Sequence, residues 1–211
     1  MSVITRAKPR NVADLLQRLA VPPERIRLDP QPGWATEEDV IRHHMCELID
    51  GTLVEKAMGY YESRLAFVLI GYLEEFLRRN DLGFGLDSAG MVRVKAEQIR
   101  MPDVAVFLWK HFPDRKLPAV QILDVVPDLA VEILSPSNTL KEMERKRSEY
   151  FAGGAQLVWE VDPVKRSVEV YIAPDVSTTL DENATLDGGA VLPGFTLPIR
   201  DWFARAGERS V

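Results

Sequence analysis

Two acidic residues lie inside apolar runs of this sequence. Glu132 interrupts the segment LAVEILSPSN, and Asp103 interrupts the segment RMPDVAVF. A carboxylate removed from water is strongly destabilising unless a cation or hydrogen-bond donors compensate it. Neighbouring strands lie about 4.8 Å apart, so the two carboxylates could converge at one edge of a sheet. Such a pair suits Mg²⁺, which binds one or two carboxylates together with a substrate phosphate.

A lysine follows these carboxylates at helical spacing. Met143, Lys146 and Tyr150 share one helix face at i, i+3 and i+7, which predicts that Lys146 points towards the sheet. An ammonium group beside a metal and two carboxylates can position an attacking water or help to deprotonate it. Purely structural roles are the alternatives: Lys146 would pair with Glu142 at i, i+4, and Asp103 would only begin a strand. Tyr150 is predicted to be a core aromatic residue with its hydroxyl at the rim.

The elements that must position these residues follow from periodicity and turn signals. A short helix is predicted near VADLLQRL, and a second one begins at Thr36, where Asp39 completes the cap. The longest helix is predicted over residues 60–80, with Gly83 just past its end, and another runs from Thr139 to about residue 151. The Asp50-Gly51 pair predicts a hairpin. Further strands are predicted at 83–86, 91–95, 104–109 and LAVEIL, followed by a hairpin of QLVWEVD with RSVEVYI and by short strands in the tail; residues 111–127 are predicted to form a loop.

Composition limits the class of protein. With 211 residues, 46% of them hydrophobic, the chain suits one globular domain, which we predict at residues 36–211 after an N-terminal arm with a short helix at residues 1–35. No apolar run approaches the roughly 20 residues that a membrane span needs. The N-terminus lacks the pattern of a secretory signal, so a cytoplasmic location is expected. The single cysteine, Cys46, excludes an intrachain disulfide and a cysteine-based zinc cluster.

The charge balance bears on nucleic-acid binding. A net charge of -6 argues against a surface coated with basic residues for nonspecific binding. It leaves room for a local basic groove, for which the segment KEMERKR is the candidate, with Lys141, Arg145, Lys146 and Arg147. No histidine is assigned to a metal, because the adjacent His43 and His44 cannot both face one ligand on a helix.

Ordered blocks of the sequence resemble a known family. The segments RMPDVAVF, PDLAVEILSPSNTLKEMERKRSEYF, GGAQLVWEVDPVKRSVEVY and LPGFTLPIRDWF are similar to the Uma-two family of restriction-endonuclease-like proteins, in the PD-(D/E)XK nuclease superfamily. The resemblance runs from about residue 36 to 203. It implies an α/β (α+β) restriction-endonuclease-like fold, with a mixed β-sheet flanked by helices.

The resemblance also implies roles for individual residues. The proline-aspartate of the superfamily falls on Pro102-Asp103 and its second acidic residue on Glu132. The lysine expected two residues later is Leu134 here, and Lys146 matches the position to which that lysine has migrated in Uma-like members. Asp103, Glu132 and the Ile133 carbonyl would then hold Mg²⁺ or Mn²⁺. Glu62 would flank the metal as a secondary acidic residue, although complementing a helix dipole is its favoured role.

The implied function is hydrolysis of phosphodiester bonds in DNA by a metal-dependent endonuclease. In that mechanism Lys146 orients water and Tyr150 lies beside it as a secondary residue. Cleaving both strands of a duplex at once would favour a homodimer. The alternative, from another class, is a catalytically inactive module of the same fold that binds nucleic acid or protein.

Overall fold

The computed structural model describes residues 9–208. Its helices are α1 Val12–Leu19, α2 Glu37–Arg42, α3 Tyr60–Asn80, α4 Leu140–Gly153 and α5 Ile199–Ala206. Its strands are β1 Cys46–Ile49, β2 Thr52–Glu55, β3 Gly83–Asp87, β4 Met91–Lys95, β5 Gln98–Arg100, β6 Val104–Leu108, β7 Ile122–Leu123, β8 Leu129–Ile133, β9 Leu157–Asp162, β10 Ser167–Ala173, β11 Val176–Leu180, β12 Thr185–Gly188 and β13 Leu192–Pro198. Single turns of 3-10 helix occur at Pro23–Arg25, Trp109–His111 and Pro113–Arg115.

The strands form two mixed sheets and a ribbon. The larger sheet has the order β11-β10-β9-β8-β6-β3, in which β8 and β9 run parallel and the other pairs are antiparallel. The smaller sheet has the order β2-β1-β5-β4-β7, with β4 and β7 parallel. Strands β12 and β13 pair as a separate ribbon. The predicted mixed α/β architecture is confirmed.

Side-chain alternation along the larger sheet divides the core into two layers. Val104 and Val131 face α3 and α5, where they pack with Leu69 and Trp202. Successive strand residues point to opposite faces, so Ala105 and Ala130 face the other way, and there they pack with residues of α4 and of β4. The second layer separates the two sheets. It is the layer in which the polar residues described below are buried.

The N-terminal arm packs on the hairpin of the smaller sheet. Leu19 and Val21 lie against Ile49 and Val54 in a small apolar cluster. Ile26 forms an isolated antiparallel bridge with Val54. The first eight residues of the predicted arm, and residues 209–211 of the predicted domain, lie outside the described residues. Within 9–208 no helix is long and apolar enough to cross a membrane.

Most predicted elements occur where the sequence placed them. Thr36 and Asp39 form the predicted capping box, and Asp50 and Gly51 adopt the positive φ angles of the predicted turn. The cap of α3 differs: Asp81 takes the left-handed conformation at its end, and Gly83 already belongs to β3. Strands β5, β7 and β11 were missing from the prediction. Strands β5 and β7 have only three and two residues, and β11 is exposed and lacks apolar alternation.

The position of Gly83 is explained by close backbone approach. A Cβ atom there would lie 2.0 Å from the Phe107 carbonyl oxygen across the β3–β6 pair. At Gly85, two residues along the same strand, a Cβ atom would meet the nearest backbone atom at 3.7 Å, an ordinary contact. The two glycines therefore offer a matched comparison.

We predict that Gly83→Ala lowers the free energy of unfolding by about 1–3 kcal/mol, because the backbone of β3 or β6 must move to accommodate the methyl group. Gly85→Ala should leave stability unchanged or raise it slightly, since it reduces the entropy of the unfolded chain. Urea denaturation followed by circular dichroism measures both values. Equal stabilities of the two variants would contradict the steric explanation.

Candidate functional site

The two carboxylates identified in the sequence lie on the same face of the larger sheet. Glu132 is two residues after Ala130 and Asp103 two residues before Ala105, so both point into the layer between the sheets. The Asp103 amide donates a hydrogen bond to the Val131 carbonyl at 2.9 Å, which places Asp103 beside the end of β8. Asp103 and Glu132 are only 3% and 4% exposed.

The two oxygens of Asp103 have different surroundings. Oδ2 accepts a hydrogen bond from the Ile133 amide at 2.6 Å. Oδ1 lies 2.8 Å from Nζ of Lys56, and no described residue donates a hydrogen bond of good geometry to it. Lys56 donates instead to the Met101 carbonyl. The Lys56 ammonium therefore balances the charge of Asp103, but Oδ1 accepts no hydrogen bond from it.

Glu132 has a cation and a hydroxyl as its partners. Lys146 Nζ donates to Oε2 at 3.0 Å, and the Tyr150 hydroxyl donates to Oε1 at 2.6 Å. Burial raises the pKa of Glu132, and the negative charge of Asp103 raises it further. The nearby Lys146 ammonium opposes both effects, but the pKa of Glu132 stays above its ordinary value. The carboxylate in the apolar strand is thus compensated from α4.

Lys146 lies between two carboxylates. Its Nζ is 3.0 Å from Glu132 Oε2 and 3.4 Å from Glu47 Oε1. Burial alone would lower the pKa of Lys146, but these two carboxylates outweigh it and hold the pKa above its ordinary value. The alternative partner, Glu142, is engaged by Arg25 at 2.9 Å. Lys146 is therefore a protonated, buried ammonium group that points towards the sheet.

Glu47 on β1 belongs to this site, and the sequence prediction missed it. It is fully buried, pairs with Arg100 Nη1 at 2.9 Å, and accepts a hydrogen bond from the Met101 amide at 3.2 Å. Although burial raises its pKa, Lys146 and Arg100 together lower it to about 2. The sequence carried a shorter signal of the same kind, since Glu47 interrupts the apolar residues Cys46, Leu48 and Ile49. All four residues are buried in β1.

Lys56 and Arg100 were missed as well, for a different reason. Lys56 follows β2 directly in a segment without regular structure, and Arg100 ends the three-residue strand β5. Arg100 donates to Glu149 of α4 through Nε at 2.7 Å. Neither residue lies in a long periodic segment. No pattern in the sequence marks their side chains as buried.

Two predicted secondary residues differ in their placement. Tyr150 is fully buried, so its hydroxyl contacts Glu132 inside the protein and the predicted position at the rim is wrong. Glu62 lies in the first turn of α3, and its Oε2 would be 2.1 Å from a Cβ atom at Gly59. That position beside the helix N-terminus agrees with the dipole role. Helix α3 packs on the opposite face of the sheet from Asp103 and Glu132.

The predicted basic groove at KEMERKR does not form. Lys146 is buried, Arg145 pairs with Asp50 at 3.0 Å and with Glu149 at 2.8 Å, and Arg147 stacks on Tyr171 and pairs with Glu160. Lys141 reaches the Gln17 carbonyl at 3.4 Å. Carboxylates pair with Arg145, Lys146 and Arg147 because α4 packs between the sheets and the arm, which leaves Lys141 as the exposed cation of this segment.

The donor set fits a hard divalent cation. Asp103 and Glu132 supply the carboxylate oxygens that Mg²⁺ prefers, and Asp103 Oδ1 is a buried acceptor without a hydrogen bond. The cation would have to share this space with the Lys56 ammonium. No cluster of three or more His, Cys, Asp or Glu residues suited to a metal occurs among residues 9–208, so Glu62 does not join the pair.

Comparison with known proteins agrees with this architecture. No curated protein matches the chain. A solved structure described as a putative nuclease belonging to DUF820, from Anabaena variabilis, is similar over 76% of this chain and 90% of that chain. The TM-score is 0.68 at 21% sequence identity, which shows a shared fold.

Family membership rests on the sequence. The family Uma2, described as "Putative restriction endonuclease", matches residues 38–200. That match covers most of the chain and includes Asp103, Glu132 and Lys146. The protein belongs to the Uma2 family.

Proposed function

We propose that this protein is a Mg²⁺-dependent endonuclease that hydrolyses phosphodiester bonds in DNA. The observation that carries the proposal is the arrangement of Lys146, whose ammonium lies 3.0 Å from Glu132, in a site where Asp103 supplies the second carboxylate. A positive charge beside two carboxylates at the end of a strand suits phosphoryl transfer. The family description supports the same reaction class.

Asp103, Glu132 and the Ile133 carbonyl are the proposed metal ligands, and Mn²⁺ is expected to substitute for Mg²⁺. When bound, such an ion neutralises charge on the scissile phosphate and lowers the pKa of a coordinated water. The Ile133 amide fixes Asp103, and the Tyr150 hydroxyl fixes Glu132. Both carboxylates are thus held in place before a ligand arrives.

Lys146 is proposed to orient the attacking water rather than to deprotonate it. Two carboxylates raise its pKa, so it is a hydrogen-bond donor at neutral pH and a poor base. Glu47 acts as a positioning residue, since it contacts Lys146 from the smaller sheet, while Glu132 contacts it from the larger one, and Glu47 is itself fixed by Arg100. This refines the role that the sequence suggested for Lys146.

The competing function is a catalytically inactive module that binds nucleic acid or protein. The observation in its favour is that Asp103, Glu132 and Lys146 are almost completely buried and already have internal partners. The two functions differ in their need for a metal. A cytoplasmic location and a homodimer for double-strand cleavage remain part of the nuclease proposal.

We predict that Glu132→Gln abolishes Mg²⁺-dependent cleavage of plasmid DNA and the rise in melting temperature that Mg²⁺ gives the wild type. Without metal the variant should stay within about 2 kcal/mol of wild type, since the amide keeps the shape and Lys146 keeps Glu47 as a partner. Cleavage assays and calorimetry with MgCl₂ measure both effects.

The matched control for this variant is Glu160→Gln. Glu160 lies opposite Glu132 on the parallel strand β9 and pairs with Arg147, which belongs to α4 like Lys146. This variant should keep cleavage and the response to Mg²⁺. If Glu132→Gln is active, or loses far more stability than Glu160→Gln in metal-free buffer, Glu132 is half of a structural ion pair.

We further predict that Lys146→Met lowers the cleavage rate by about 10²-fold or more, because the attacking water loses the group that orients it. Mg²⁺ binding should be retained, because the substitution removes a like charge near the cation. It should also cost about 3–5 kcal/mol of stability, since Glu47 and Glu132 lose their shared cation. Lys165→Met, which removes an exposed lysine paired with Asp162, is the control and should change neither quantity. Cleavage at the wild-type rate by folded Lys146→Met would exclude the proposed role.

A further inference from the structure

Lys56 is the second buried ammonium group of the site, and it comes from a connection rather than from a helix or strand. It immediately follows β2, and its side chain, 3% exposed, reaches across to Asp103 beside the larger sheet. The segment 56–59 then leads into α3 without regular structure. Its first residue is held by one backbone hydrogen bond, from the Lys56 amide to the Met45 carbonyl at 2.8 Å.

The bonding of Lys56 is weaker than that of Lys146. Lys146 has two carboxylates within 3.4 Å, whereas Lys56 has one carboxylate, Asp103, and the Met101 carbonyl. Asp103 Oδ1 receives no hydrogen bond of good geometry in spite of the ammonium 2.8 Å away. Lys56 therefore places a positive charge beside Asp103 Oδ1 without donating a hydrogen bond to that oxygen, which is the atom that a metal ion would bind.

Charge balance decides what happens when a divalent cation arrives. The side chains of Asp103, Glu132, Lys56 and Lys146 carry two negative and two positive charges, and the further charge of Glu47 is balanced by Arg100. Adding Mg²⁺ while both ammonium groups stay would leave two excess positive charges in a buried space, where repulsion is weakly screened. Lys56 is the group that can leave, because its side chain is held by one carboxylate and one carbonyl, whereas Lys146 is held by two carboxylates.

We infer that Lys56 is an exchangeable counter-ion of Asp103, which a divalent metal ion displaces when it enters the site. The inference rests on the proposed nuclease function and describes how that site is regulated. In the metal-free protein the Lys56 ammonium lies beside Asp103 Oδ1, the oxygen that the ion would bind. Metal entry releases the Lys56 side chain from Asp103 and leaves that oxygen to the ion.

The first test uses the wild-type protein and a lysine-acetylating reagent, with modified positions identified by mass spectrometry. Lys56 should be protected in metal-free buffer and labelled at least about five-fold faster in MgCl₂, in line with the range of coupling between sites. Lys146 should be protected in both conditions. Lys110, which is 48% exposed beside Asp128, should be labelled in both. Unchanged protection of Lys56 with bound Mg²⁺ would overturn the inference.

The second test compares the affinities of Lys56→Gln and Lys110→Gln for Mg²⁺ by titration calorimetry. Both substitutions remove a lysine paired with a buried aspartate. Lys56→Gln should bind Mg²⁺ about ten-fold more tightly than wild type, because the competing charge is gone, whereas Lys110→Gln should match wild type. Lys56→Arg keeps the charge and should retain the lower affinity. The labelling test still decides if Lys56→Gln does not fold.

The outcomes separate this inference from the proposed function. If wild type and Lys56→Gln bind Mg²⁺ equally well, the counter-ion role fails and the nuclease proposal stands. If Lys56→Gln binds and wild type binds only weakly, the inference is supported. If neither protein binds Mg²⁺ or Mn²⁺ at millimolar concentration, the metal site and the inference built on it both fail.

Discussion

A fully buried ammonium group needs negative charge close by, and Lys146 receives it from both sheets of this protein. Glu132 belongs to the larger sheet and Glu47 to the smaller one, and their oxygens lie 3.0 and 3.4 Å from the same nitrogen. Removing either sheet would leave this charge partly uncompensated in a low-dielectric interior. The site therefore forms only if α4 packs between the two sheets, and the carboxylates of both sheets in turn stabilise α4 in that position.

The polar groups around Lys146 also explain why the interior tolerates so much charge. Arg100 connects Glu47 to Glu149, Tyr150 donates to Glu132, and the Ile133 amide donates to Asp103. Nearly every acceptor has a donor within the protein, so the network is fixed before any ligand binds. Among the described residues, Asp103 Oδ1 and Glu142 Oε1 are buried acceptors without a hydrogen bond, and of these two it is Asp103 Oδ1 that lies beside a second carboxylate, Glu132.

The sequence predicted the elements that have their own local signals. Helix α3, the capping box at Thr36 and the Asp50-Gly51 turn depend on periodicity and backbone preference, and they occur as predicted. The apolar run around Glu132 indicated a buried carboxylate that needs a cation, which the contact with Lys146 supplies. Lys56 and Arg100 could not be found in this way. Their burial depends on how the two sheets pack, and no short stretch of sequence contains that information.

The contacts within the site join parts of the chain that are distant in sequence. Ile133 and Asp103 are 30 residues apart, Met101 and Lys56 are 45 apart, and Arg100 and Glu47 are 53 apart. Closing such loops costs entropy before the contacts repay it, so non-local contacts tend to form late in folding. The residues of the site should therefore come together only when both sheets and α4 have docked. A chain still emerging from the ribosome before α4 is made would lack Lys146 and Tyr150, so the Glu132 carboxylate would stay without its cation and its hydroxyl donor until the second half of α4 had been synthesised.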